Sequence, residues 1–161
     1  MGLTCIEPSK FWINGGYALP DSLLDLAKKN GINLKFWDFQ PPVTAIYYYY
    51  PGKSPVIGID RKLKSNIKNF RCILAEELGH YFTTDKGNMV AHYHIQDRIQ
   101  VCREEYKAME WAVNYLIPNE KLEMAFNIMP PWELEDFFQV NCDFMAFKLK
   151  LYKDKLLPYL T

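Results

Sequence analysis

The chain has 161 residues, 49% hydrophobic and 16% aromatic, which is enough apolar material for one packed domain and excludes a disordered polypeptide. Nineteen Lys and Arg balance nineteen Asp and Glu, so bulk charge argues against a nucleic acid or an anionic membrane held by non-specific attraction. The cysteines Cys5, Cys72, Cys102 and Cys142 stand far apart with no C-x-x-C pair, which excludes a zinc knuckle and a thioredoxin-type motif and predicts buried free thiols at Cys72 and Cys102.

Residues 1–19, punctuated by Pro8, Gly15 and Gly16, predict an irregular arm. Met1 to Gly16 lacks a basic stretch followed by an apolar run, so no secretory signal is expected there. No apolar run approaches the length of a bilayer span, and a cytoplasmic protein is expected. Asp21 or Ser22 should cap a short helix through Asn30, with Gly31 as its stop. Ile32 to Phe39 alternates as a strand and is broken by Pro41-Pro42. Ala45 to Tyr50 predicts a second strand, whose four tyrosines cannot all be buried. Pro51 to Pro55 predicts a hairpin loop and Val56 to Asp60 a third strand.

Ser65 to Thr84 predicts a long helix carrying Glu76-Glu77-Leu78-Gly79-His80. Positions 76 and 80 share a helical face, with 77 beside them. Ile67, Phe70, Ile73, Leu74, Leu78 and Tyr81 make the surroundings apolar. Ionisable groups beside a core-forming stripe are costly unless something pairs with them, and a divalent cation is one such partner. The spacing is that of the zincin helix H-E-x-x-H, with Glu76 where the first His stands. His80 then fits the second ligand and Glu77 the general base, while Glu76 can ligate through a carboxylate oxygen. The alternative is an acidic surface turn with a lone histidine.

A Gly turn follows, then His92-Tyr93-His94. In an extended segment both histidines point the same way, as a second ligand pair or as two surface side chains. Ile99 to Ile117 predicts the second long helix, ended by Pro118. Glu105 is the one charged residue on its apolar side. An inward carboxylate facing a carboxylate–imidazole cluster is what a three-ligand metal site needs; a salt bridge to Arg71 or Arg103 is the competing account. Asn119 to Met129, Trp132 to Phe138 and Cys142 to Leu151 predict three further helices, the last two laid out like a helix-turn-helix. With only Lys148 and Lys150 as cations, and with Phe144, Met145 and Phe147 beside them, the final helix is expected to pack rather than to read DNA.

The segments Ile73-Leu74-Ala75-Glu76-Glu77-Leu78-Gly79-His80-Tyr81 and Glu105-x-x-Ala108-x-x-Trp111-Ala112-x-x-x-Leu116-Ile117-Pro118 together resemble the ImmA/IrrE family of metallopeptidases, over roughly residues 20 to 150. That family pairs H-E-L-G-H on one helix with E-x-x-A-N-x-F-A-x-x-L-L-x-P on a second. This chain departs at Met109, Trp111 and, more seriously, Glu76, although some phage-type relatives look similar at that position. The resemblance implies a single α+β, zincin-like domain over 1–161. It would hold a three-stranded sheet, two long active-site helices, an arm at 1–19 and a helix-turn-helix-like tail at 119–161. It implies Glu76, His80 and Glu105 as ligands of one divalent ion, zinc or alternatively Mn or Fe, and Glu77 as the base. The implied substrate is a helix-turn-helix repressor encoded on a phage or mobile element, with no direct nucleic-acid or membrane partner. Glu76 motivates a second expectation, a non-catalytic protein that binds the repressor without cutting it.

Overall fold

The computed structural model describes residues 21–84, 90–95 and 103–156. Helix α1 (Asp21–Lys29) opens it, burying Leu23 and Ala27, one turn apart. Gly31, at φ +67°, turns the chain out of the helix, and the Ile32 N–H returns to the Ala27 carbonyl at 2.9 Å. Strands β1 (Asn33–Trp37), β2 (Val43–Tyr49) and β3 (Val56–Asp60) follow at the predicted places, trimmed at their ends.

The three expected strands are joined by a fourth, β4 (Val90–Ile95), giving the order β1-β3-β2-β4. β2 and β3 are the expected antiparallel pair, β1 runs parallel to β3, and β4 lies antiparallel on the far side of β2. The segment with His92 and His94 is thus a sheet strand, those two residues opposite Tyr47 and Ala45, and their side chains fall outside the described residues. Along β2 the faces alternate: Ala45 and Tyr47 are buried, whereas Tyr48, like Tyr50 beyond the strand, is exposed.

Helix α2 (Ile67–Thr83) starts two residues later than expected, because Arg61–Ser65 forms a 3-10 turn. The Asn66 side chain caps α2 by accepting from the Asn69 N–H at 3.1 Å. From Cys72 to His80 every residue is buried. The sheet strands β2 and β3, α1 and α3 (Arg103–Leu116) all pack on it. A helix covered all round needs no polar face, which is why its apolar periodicity is weak.

The tail comprises α4 (Asn119–Ile128), a 3-10 turn at Pro131–Glu133, α5 (Leu134–Phe138) and α6 (Cys142–Leu156). Its turn between α5 and α6 is fastened to α2. Arg71 Nη1 donates to the Phe138 carbonyl and, at 3.1 Å, to that of Gln139. Asn141 Nδ2 donates to Asn69 Oδ1 at 3.1 Å, and the Asn141 N–H points at the Cys72 thiol at 3.4 Å. Arg71, one of the two cations considered for Glu105, is therefore engaged by tail carbonyls. Lys148 is buried and donates to Asn114 Oδ1 at 2.8 Å and Asn119 Oδ1 at 2.6 Å, joining α6 to α3 and to the start of α4. Cys72 is a buried free thiol and Cys142 an exposed one; Cys5 and Cys102 lie outside the described residues.

Candidate metal centre

Two helices build the site, and a glycine sets how closely they meet. A Cβ on Gly79 would stand 2.3 Å from the Ala108 carbonyl oxygen of α3, so the two backbones touch there. That approach brings Glu105, three residues before Ala108, onto the α2 face that carries Glu76 and His80. His80 Nε2 and Glu105 Oε2 are 3.2 Å apart. One donor atom from each of Glu76, His80 and Glu105 lies within 4.8 Å of the others, and among the described residues no second group of this kind forms. Glu76 is 2% exposed, His80 1% and Glu77 0%, while the Glu105 side chain keeps 13%.

The last turn of α2, which holds His80, is secured locally. Thr83 Oγ1 donates to the Gly79 carbonyl at 2.8 Å and the Thr84 N–H to the His80 carbonyl at 2.9 Å. Aromatic rings clamp the same end. Phe82 stacks on Trp111 of α3 with centroids 4.8 Å apart, Tyr81 meets Phe82 edge-on, and Tyr47 meets Tyr81 in the same way. Burial, with Tyr81 and Tyr49 nearby, pushes the Tyr47 phenol up to about 12, so it keeps its proton at neutral pH. Burial likewise pushes the Cys72 thiol up to about 12, which makes it a packing residue rather than a nucleophile.

The donor set fits a small divalent ion. Zinc with bonds of about 2.1 Å spaces its tetrahedral ligands about 3.4 Å apart. The 3.2 Å His80–Glu105 separation matches that spacing, and the three donors come from two helices held in contact. Two carboxylates and an imidazole in one buried turn of α2 meet a third carboxylate from α3, and a cation offsets the charge that such a cluster of carboxylates concentrates. The sequence pointed to Glu76, Glu77, His80 and Glu105. It did not single out Gly79 and Ala108 as the contact that joins them, although a glycine inside a helix facing an alanine on another was the available signal.

No helix among the described residues is long and apolar enough to cross a membrane. No curated protein and no solved structure matched the chain. The family model of the IrrE N-terminal-like domain, Peptidase_M78, matches residues 27–150, which takes in the sheet, both site helices and most of the tail. The chain therefore belongs to the IrrE N-terminal-like family of metallopeptidases.

Proposed function

We propose that this protein is a metal-dependent endopeptidase in which Glu76, His80 and Glu105 hold one divalent ion and Glu77 is the general base. The observation that carries this reading is the convergence of three donors from α2 and α3, two of them buried and the third nearly so, in a metallopeptidase family. The bound ion would supply Lewis acidity toward the scissile carbonyl and toward water. Glu77, wholly buried in the same turn, would take a proton from the attacking water and return it to the leaving amine. Zinc suits the histidine, and the two carboxylates admit Mn or Fe.

The proposed substrate is a helix-turn-helix transcriptional repressor, so that cleavage makes the protein a cytoplasmic anti-repressor of a phage or mobile element. The test combines metal content with cleavage of a cognate helix-turn-helix repressor. Wild type should hold about one ion per chain, and His80→Ala should lose it. Glu77→Gln should keep the ion and cut at least about 100-fold more slowly. Cutting by Glu77→Gln at the wild-type rate removes Glu77 from the mechanism.

Glu76 favours a second reading, in which the protein binds the repressor without cutting it, because a carboxylate stands where the zincin pattern has histidine. That reading expects a stable complex with intact repressor, formed equally by wild type and Glu77→Gln.

A further inference from the structure

The helical tail carries a surface that the metal site does not use. Ile128 is 71% exposed, Met124 64% and Trp132 79%, the three most exposed of the large apolar side chains among the described residues. Glu120, Met124 and Ile128 are successive i, i+4 positions on α4, so they form one row along the helix. Beyond α4 the chain runs through extended Met129 and Pro130 into the 3-10 turn at Pro131–Glu133, which holds Trp132. An exposed apolar row of this kind marks an interaction surface.

Charge indicates what covers it. Between residues 119 and 138 stand Glu120, Glu123, Glu133, Glu135 and Asp136 against Lys121 alone, in a chain whose total charge is zero. Lys68 pairs with Asp136, and Glu123 accepts from the Tyr152 hydroxyl. That leaves Glu120 on the row and Glu133 and Glu135 on the segment that follows it, with Lys121 as the cation on that stretch. An acidic rim repels an anionic bilayer and disfavours a second copy of the same acidic strip. It suits a partner that brings cations and apolar side chains together.

We propose that the Glu120–Met124–Ile128 row of α4, with exposed Trp132 and the acidic Glu133 and Glu135 of the segment after it, docks a cationic amphipathic helix of a protein partner. The partner's apolar side chains cover Met124, Ile128 and Trp132, and its Lys or Arg side chains reach the carboxylates. A DNA-binding protein carries such a basic helix to meet phosphates. If the repressor is the partner, that assignment rests on the reading given under Proposed function, and this surface then acts as a recognition site on a different element from the candidate metal ligands.

The test uses the full chain and a fluorescein-labelled helical peptide of about 18 residues built from Lys and Leu, with a Glu/Leu peptide as control, read by fluorescence anisotropy. The Lys/Leu peptide should bind and the Glu/Leu peptide should not. Raising salt from about 50 to about 300 mM should weaken binding several-fold. Trp132→Ala combined with Ile128→Asn should weaken it at least about tenfold. Glu133→Lys with Glu135→Lys should weaken it and flatten its salt dependence. Ile128, Trp132 and Glu133 are exposed and Glu135 is partly exposed, and an unchanged melting temperature confirms that the variants are folded. Absence of binding, equal binding by both variants, or sedimentation showing a dimer that Ile128→Asn dissolves would each overturn the proposal, the last by giving the row to a second copy. The peptide assay needs no proteolysis, so a repressor left uncut leaves its result intact, and a peptide that fails to bind leaves the cleavage result intact.

Discussion

Lys148 shows how a residue can reverse its apparent role between sequence and structure. Along the chain it is one of two cations on the stretch Cys142 to Leu151, yet the fold buries it with two amide oxygens as its acceptors. Burial, with Lys155 adding to it and Glu120 opposing, pushes its ammonium down from 10.5 to about 8. Between those values the unfolded chain binds a proton that the folded protein has released, so stability rises with pH from about 8 to 10.5. Below about 8 the side chain is charged in both states and the cost of burial is full. Relative to Lys148→Met, wild type should gain on the order of 3 kcal/mol between pH 7 and 10.5. Cys72 works the other way, its raised value removing stability as pH climbs from 9 toward about 12. Comparing the two proteins at each pH cancels that contribution. Urea melts across the range give the difference, and parallel stability curves would show that Lys148 keeps its proton throughout. No local pattern announces this side chain, because Asn114 and Asn119 are 34 and 29 residues away in sequence.

At the scale of elements, the contact between α2 and α3 governs the site. A glycine inside a helix costs about 1 kcal/mol relative to alanine, so propensity alone makes Gly79→Ala stabilising. The geometry reverses the sign. The new methyl would lie 2.3 Å from the Ala108 carbonyl oxygen and 2.9 Å from its Cα, both backbone atoms that cannot swing aside. Gly79→Ala should therefore destabilise by about 1–3 kcal/mol. It should also weaken metal binding, because parting the helices draws Glu105 away from His80. A thermal melt with a metal titration checks both, and a variant that melts higher with unchanged metal affinity refutes the close-contact account. The same helices were legible in the sequence for a specific reason: the i, i+4 spacing of Glu76 and His80, and the lone charge of Glu105 on an apolar stripe, are local patterns. The β2–β3 hairpin was legible from its Pro-Gly loop. β4 was not, since its alternating histidines offered only a ligand pair or two surface side chains, and its partner β2 lies far back in the chain, Tyr49 opposite Val90 and Val43 opposite Ile95. Nor could the sequence tell that β1 pairs parallel to β3.

Across the whole molecule, the candidate ligands tie together parts that fold at a distance. Glu76 and His80 sit on the buried helix to which the tail is fastened through Arg71 and Asn69, and Glu105 comes from α3, which Lys148 joins to the tail. In the unfolded chain Glu105 is 25 residues from His80 and presents no preformed site. An ion that binds only the assembled pair stabilises the folded state by mass action. At free metal about 100 times the dissociation constant, the gain should be about 2.7 kcal/mol. For a chain of this size that raises the melting temperature by roughly 5 °C or somewhat more. A chelator should reverse the shift. Glu105→Gln should shrink it, because a neutral amide is a weaker donor and one negative charge is gone. His80→Ala should abolish it, since the nitrogen donor that meets Glu105 at 3.2 Å is removed. The measurement is a set of thermal melts of the three proteins at increasing zinc and manganese. A shift of equal size in all three would place the ion elsewhere on the molecule and leave the two-helix cluster without it.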